Sequence, residues 1–442
     1  MKDRNAVGNS EIQQDRAKPS EAQALKPNTG PLAGLRIVDL TTVVMGPYAT
    51  QTLADLGADV IKVEPPGGDN LRAVGPMRSP GMGHLTLHLN RNKRSIVLDL
   101  KTPAGRDALL RIAANCDALI YNVRPQAMAR LKLSYEDLAA VNPKLVYVGA
   151  FGYAEGGPYA GKPAYDDLIQ GAAGVAALSA QQSGDVPRYA PVTLADRSVG
   201  LQAAIALLAA VFHARSAGKG QAVEITMFEA LSQFVLGDHL GGATFEPRMG
   251  DTGYARLLAP HRKPYATSDG YLCVLIYNDK HWRSFFKVIG RADLLDDPRF
   301  CSHTARATHI AEVYAFVADM MKTNTTAHWL EALNGGDIPV MPLHDMDSLI
   351  SDPQLAAGGF FQTLDHPSEG RIVAMAPIGR YSATPPVIHR HVPRAGEQGV
   401  DILREAGIDD ETIEAMIEQR ALQLPEDASG MATTEKPIAV PP

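Results

Sequence analysis

The tightest constraint on this chain is a strand–helix–strand unit near its start. Leu35-Arg36-Ile37-Val38-Asp39-Leu40 is a short apolar run that reads as a buried strand. Thr41 to Gly46 form a loop, Pro47 opens a helix running to Leu56, and Gly57 closes it. Ala58 to Glu64 is a second strand. Two strands joined through such a helix pair in parallel, which predicts an α/β fold. The alternation continues with a strand at 94–100, a helix at 103–115, a strand at 117–123, short helices at 125–131 and 135–141, and a strand at 144–150. A doubly wound, Rossmann-like domain is the expectation. Open sheets of this kind bind ligands beyond the carboxyl ends of their strands, so the loops at 41–46, 64–72 and 122–126 are the places for a site. No GxGxxG follows the first strand, and Thr41-Thr42-Val43-Val44-Met45-Gly46 is not a turn that carries a dinucleotide pyrophosphate. A nicotinamide-dependent oxidoreductase is thereby disfavoured.

A chain of 442 residues exceeds one compact core. After the strand Ala222–Thr226 and a helix from about Phe228, residues 231–263 lack a clear period and read as a linker and active-site loop. Strands about the turn Ser268-Asp269-Gly270, then helices near 279–289, 308–322 and 325–333, predict a smaller α+β domain over 264–350. Residues 356–421 resume short strands and two helices and are expected to complete the large domain, 31–230. Residues 1–30 and 422–442 are polar or rich in Pro, Ala and Thr, and read as disordered tails. The net charge of -7 argues against a general nucleic-acid or anionic-membrane binder. No apolar run approaches the roughly 20 residues that span a bilayer, and residues 1–30 lack a signal peptide's apolar core. Three scattered cysteines, Cys116, Cys273 and Cys301, predict no disulfide framework and a cytoplasmic setting.

Asp196 is a lone acid within Ala190-Pro191-Val192-Thr193-Leu194-Ala195-Asp196-Arg197, at the mouth of a long apolar helix from Leu201 to Phe212. Local sequence leaves two readings open: a helix cap satisfying free backbone amides, or a carboxylate nucleophile that carries an acyl group covalently. His389-Arg390-His391 lacks a third metal ligand and reads as a surface loop.

An ordered set of segments resembles the class III CoA-transferases, the group of formyl-CoA transferase and carnitine CoA-transferase. The set comprises Pro31 to Leu40, Gly46-Pro47, Gly57 to Asp69, Asn92-Lys93-Arg94-Ser95-Ile96, Ala164-Tyr165-Asp166, Gly218-Lys219-Gly220-Gln221, Ser268-Asp269-Gly270-Tyr271 and His366-Pro367 through Thr384-Pro385-Pro386. The resemblance implies a CoA-binding large domain, an interlocked homodimer, CoA thioesters as substrates with no permanently bound cofactor, and small carboxylic acids as co-substrates. It places the catalytic nucleophile at Asp196, with Asp166 as an acidic neighbour near the thioester. For CoA it implies Val44 and Met45 against the pantetheine, with Leu98, Asp99, Leu100, Lys101, Asn122, Val123 and Arg124 at strand ends beside the nucleotide. Charge complementarity adds Arg130 and Lys162 for phosphates, and Tyr165 stands beside Asp166.

The chain departs from the formyl-CoA transferases in carrying Val44 where they have Gln, and Ala255 to Lys263 where they have a glycine run. Oxalate and formate are therefore doubtful substrates, and His261, Arg262 and Lys263 are candidates to meet an acceptor carboxylate. Two alternatives remain. An acyl-CoA racemase of the same fold would place a His directly before Asp166, where this chain has Tyr165, a poor base with an ordinary pKa near 10. A non-catalytic CoA-thioester binder would not need Asp196.

Overall fold

The computed structural model describes residues 23–425. Most of the two terminal segments expected to be disordered lies outside that range. Six parallel strands appear in chain order: β1 (Arg36–Leu40), β2 (Asp59–Glu64), β3 (Lys93–Leu98), β4 (Ala118–Tyr121), β5 (Val146–Phe151) and β6 (Ala222–Thr226). From β1 the chain first builds outward through β2 and β3, then returns to place β4 on the other flank of β1. The strand order therefore reverses between β1 and β4, and a crevice opens there at their carboxyl ends.

The strands are apolar because helices cover both faces. One face packs the helix Pro103–Ala114 through Leu109 and Ile112, and the other packs the helix Leu194–Ala217 through Ala203, Ala204 and Leu207. The expectation that no segment is apolar enough to cross a bilayer needs correction. Leu194–Ala217 has 24 residues, and an 18-residue stretch of it has a mean hydropathy of 1.5, sufficient by length and composition. Its small residues serve close packing on the helix Met45–Asp55 instead: a Cβ on Gly200 would stand 2.7 Å from the Met45 carbonyl oxygen. Its other side leaves Ile205 and Phe212 67% and 79% exposed.

A separate antiparallel sheet forms from β7 (Tyr265–Ala266), β8 (Tyr271–Val274) and β9 (Val340–Pro342). Its own core contains Trp282, Phe285, Phe286, Phe300 and Trp329. The segment from 356 divides. The hairpin β10 (Phe361–His366) and β11 (Gly370–Met375) makes a two-stranded sheet. The helices Gly399–Glu405 and Asp410–Glu418 instead pack Leu403 and Ile413 into the core under β3.

Two boundaries move. Residues 23–30 are not a free tail: Leu25 packs beside Leu364 and Ile388, and the Asn28 side chain donates to the Gly57 carbonyl at 2.8 Å. Residues 422 and 423 form β12 (Leu422–Gln423), which closes the sheet edge antiparallel to β3. All three cysteines are free thiols.

Candidate active site

A cavity of about 330 Å³ occupies the crevice where the strand order reverses. The loops after β1, β4 and β5 wall it, together with residues 161–166, Asp196 and Met227. Five helices begin at its lining, at Met45, Pro125, Asp166, Leu194 and Met227, the fourth reaching it through Asp196 in its first turn. Helix N-termini carry unpaired N–H groups and partial positive charge, so their convergence favours anions and developing oxyanions.

Asp196 is not a cap. Thr193 holds the N-cap position without a side-chain bond, and the Asp196 carboxylate accepts no hydrogen bond among the described residues. Its backbone amide donates to Oδ1 of Asp166 at 2.9 Å. Asp166 is buried, and its Oδ2 accepts from Nε2 of Gln170 at 2.6 Å. Gln170 is fully buried and latches the approach to Asp196, since its Oε1 accepts from the Ala190 amide at 2.8 Å. Burial, reinforced by the Asp166 charge and only partly offset by Arg197, pushes the Asp196 carboxyl up to about 7. The helix mouth therefore does not keep Asp196 fully ionised, contrary to what its position alone predicts.

The opposite wall is a strained loop. Val43 sits at φ 68°, a region that β-branched residues rarely occupy. Two clips hold it there. Asn122 accepts from the Thr42 amide at 3.0 Å and donates to the Thr42 carbonyl at 2.9 Å. Asp69 accepts from the Val43 amide at 3.2 Å while pairing with the fully buried Lys62 at 3.0 Å. Gly46 permits the tight return, because a Cβ there would meet the Thr41 side chain at 2.2 Å. Beneath lies a buried ionic layer in which Lys93 pairs with Asp39 at 3.2 Å. Burial opposes the charge of Asp39, but Lys93, Lys62 and two hydroxyl hydrogen bonds bring its carboxyl down to about 2.

Of the residues singled out from sequence, Asp196, Asp166, Val44, Met45, Asn122, Arg124, Lys162 and Tyr165 line this cavity. Arg124 and Lys162 have no carboxylate partner among the described residues, and the Lys162 ammonium lies 4.2 Å from the Tyr159 ring centroid. The others lie elsewhere. Leu98 has no exposed surface and pairs with Leu422, so its side chain belongs to the core. Asp99 accepts from the Lys101 amide in a local turn, Leu100 packs against the same core, and Lys101 is exposed. Val123 and Arg130 are exposed outside the lining. His261, Arg262 and Lys263 are also outside it; the Arg262 carbonyl is tied to Gln182 at 2.7 Å. Sequence reading missed Val43, residues 150–153, Met227 and Gln170. Applying the carboxyl-end rule to β5 and β6 finds 150–153 and Met227, and the i, i+4 spacing from Asp166 points to Gln170.

Among the described residues no group of three His, Cys, Asp or Glu side chains is arranged to hold a metal, the pair His389 and His391 included. A carboxylate pair, with Arg124 and Lys162 free of carboxylate partners among the described residues, lies at a switch point under converging helix N-termini, a site suited to group transfer between anions. More particularly, the chain belongs to CoA-transferase family III, whose sequence profile matches residues 32–399. It is 33% identical to a succinate–glutarate CoA-transferase of Agrobacterium fabrum, over 87% of this chain and 96% of that one. It is 30% identical to the human succinyl-CoA:glutarate CoA-transferase, over 86% of each. The crystal structure of a CAIB/BAIF family protein from Brucella suis superposes with a TM-score of 0.73 at 30% identity, covering 86% of this chain and all of that one.

Proposed function

We propose that this enzyme moves CoA between dicarboxylic acids through covalent intermediates on Asp196. The observation that carries the reading is a carboxylate at the cavity wall with no hydrogen-bond partner, beside a second acid that is fully engaged. Such a carboxylate is poorly solvated, which strengthens it as a nucleophile once ionised. Names of relatives acting on succinate, glutarate and oxalate support a dicarboxylate class.

The steps balance without ATP. The Asp196 carboxylate attacks the thioester carbonyl of the donor and expels CoA thiolate, leaving a mixed anhydride. The thiolate attacks the aspartyl carbonyl, releasing the donor acid and leaving an aspartyl-CoA thioester. The acceptor carboxylate attacks that carbonyl and expels CoA thiolate again, forming a second anhydride. The thiolate then takes the acceptor's acyl carbon, giving the new CoA ester and free Asp196. Helix-terminal amides would stabilise each oxyanion, while Arg124 and Lys162 would meet CoA phosphates. The exposed apolar side of the helix Leu194–Ala217 supports an interlocked homodimer, and the free thiols fit a cytoplasmic setting.

The test is hydroxylamine trapping during turnover with succinyl-CoA and glutarate, read by peptide mass spectrometry. A hydroxamate on the Asp196 peptide is expected, with Asp196→Ala reduced to background while CoA-ester binding survives. An adduct on Asp166, or full transfer by Asp196→Ala, overturns the assignment. Solvent deuterium entering the α-carbon without exchange between acids favours a racemase instead.

A further inference from the structure

Gln170 is fully buried and lies outside the cavity, yet it holds one of the two acids that line it. It stands four residues after Asp166 on the helix Asp166–Ala172, so the two side chains meet on one side of that helix. Its Nε2 donates to Oδ2 of Asp166 at 2.6 Å and to the Val192 carbonyl at 3.3 Å, and its Oε1 accepts from the Ala190 amide at 2.8 Å. Oδ1 of Asp166 is taken by the Asp196 amide at 2.9 Å. Thr193 gives the helix Leu194–Ala217 no side-chain cap, and Asp166 supplies that bond from another helix. One amide therefore ties Asp166 to the segment that enters the helix of Asp196. Being neutral, it does so without taking or releasing a proton.

Covalent chemistry on Asp196 creates a competition. Each intermediate is an activated acyl group, and water competes with the acceptor acid for it. A carboxylate beside the intermediate is the kind of group that activates water. Asp166 lines the same cavity and lies one hydrogen bond from the Asp196 backbone, where such a base would stand. A general base needs an oxygen open to the water's proton, and both oxygens of Asp166 already accept hydrogen bonds. We infer that Gln170 makes this enzyme choose carboxylic acids over water as acceptors, by keeping Asp166 oriented and occupied so that it does not act as a base against the acyl-enzyme. The inference deepens the proposed transferase reading and rests on it. With Gln170 removed, the hydrolytic step balances. The water oxygen bonds to the aspartyl carbon while Asp166 takes a proton from that water. The carbon–sulfur bond then breaks, and the departing thiolate recovers the proton as free CoA, leaving Asp196 as its free acid.

The experiment compares CoA release from succinyl-CoA without an acceptor acid against glutaryl-CoA formation with glutarate, in the full-length enzyme. The wild type should transfer much faster than it hydrolyses. In Gln170→Leu the hydrolysis-to-transfer ratio should rise roughly tenfold to a hundredfold, up to the lower end of what a positioned general base supplies. Adding Asp166→Asn to Gln170→Leu should return hydrolysis to the wild-type level. Gln170→Glu keeps the size of the side chain and donates to Asp166 only while protonated. Its ratio should therefore lie near wild type at low pH and climb as pH rises, a profile that simple loosening of the fold does not produce. If Gln170→Leu does not fold, the Gln170→Glu profile, with and without Asp166→Asn, decides alone. An unchanged ratio in these variants, a rise that persists when Asp166→Asn is added, or a wild type that hydrolyses as fast as it transfers overturns the inference and leaves the transferase reading standing. Absence of transfer from succinyl-CoA to any acid in the wild type refutes the transferase reading itself.

Discussion

The backbone amide of Asp196 points at Oδ1 of Asp166, 2.9 Å away. One carboxylate thus fixes the first turn that carries the other. Because Gln170 occupies the second oxygen of Asp166, that acid is oriented and engaged, and its charge acts on Asp196 across a short gap. The pair is asymmetric: one acid is held, the other is exposed to the cavity without a partner.

This asymmetry sets a pH dependence. In the proposed mechanism Asp196 attacks as the carboxylate, so kcat/KM should rise with pH through about 7. Asp166→Asn removes the second-largest cause of the upward shift and leaves burial in place. The ascending limb should move to lower pH without reaching the ordinary carboxylate range. A pH–rate profile of the variant that superimposes on the wild type contradicts this origin of the shift.

The same group strains the fold. Its carboxyl lies at about 7 in the native state against an ordinary 3.8, so the folded chain holds a proton that the unfolded chain releases. Its contribution to stability is intact below the unfolded value and is lost as pH rises through the folded one. Asp196→Asn should therefore be more stable than wild type at pH 8, by about 1–3 kcal/mol, with the gap shrinking toward pH 4. Urea unfolding at the two pH values measures it.

Gly200 lets two helices touch where the site is built. Gly200→Ala puts a methyl 2.7 Å from the Met45 carbonyl oxygen, which is backbone and cannot swing aside. The expected cost is about 1–3 kcal/mol. Displacement of the first turn should lower kcat by about tenfold or more. Chemical denaturation and steady-state kinetics on one preparation test both.

Asp69 links the buried Lys62 to the strained Val43. Asp69→Ala leaves the Val43 amide without its acceptor and takes one carboxylate from Lys62, which keeps the Thr41 carbonyl at 2.9 Å; it should cost about 3 kcal/mol, with a raised KM for the CoA ester as the Thr42–Met45 wall loosens. Asp69→Asn, which still accepts from the Val43 amide, should sit between the variant and wild type in KM. Equal KM values in all three proteins would disconnect the clip from binding.

Phe212 is 79% exposed on the long helix. If that side is covered by a second copy of the chain, Phe212→Glu places a charge in an apolar interface and should shift the protein toward monomer. Light scattering at micromolar concentration reads the outcome directly; a wild-type monomer with full activity contradicts the dimer.

The local elements of the large sheet are legible in the chain, because Pro47 and Gly57 bracket a helix and apolar runs such as Val60–Val63 have no stable place except a covered parallel sheet. It also marked Asp196 and Asp166, through a family pattern that local propensity alone left ambiguous with capping. What it leaves undetermined are the relationships that depend on distance. Only the fold brings residue 170 to residue 190 and residue 69 to residue 43, since helices or strands separate each pair along the chain. The ionisation of Asp196 was decided there too: the sequence shows a helix mouth that favours charge, and only tertiary burial beside Asp166 shows which influence prevails.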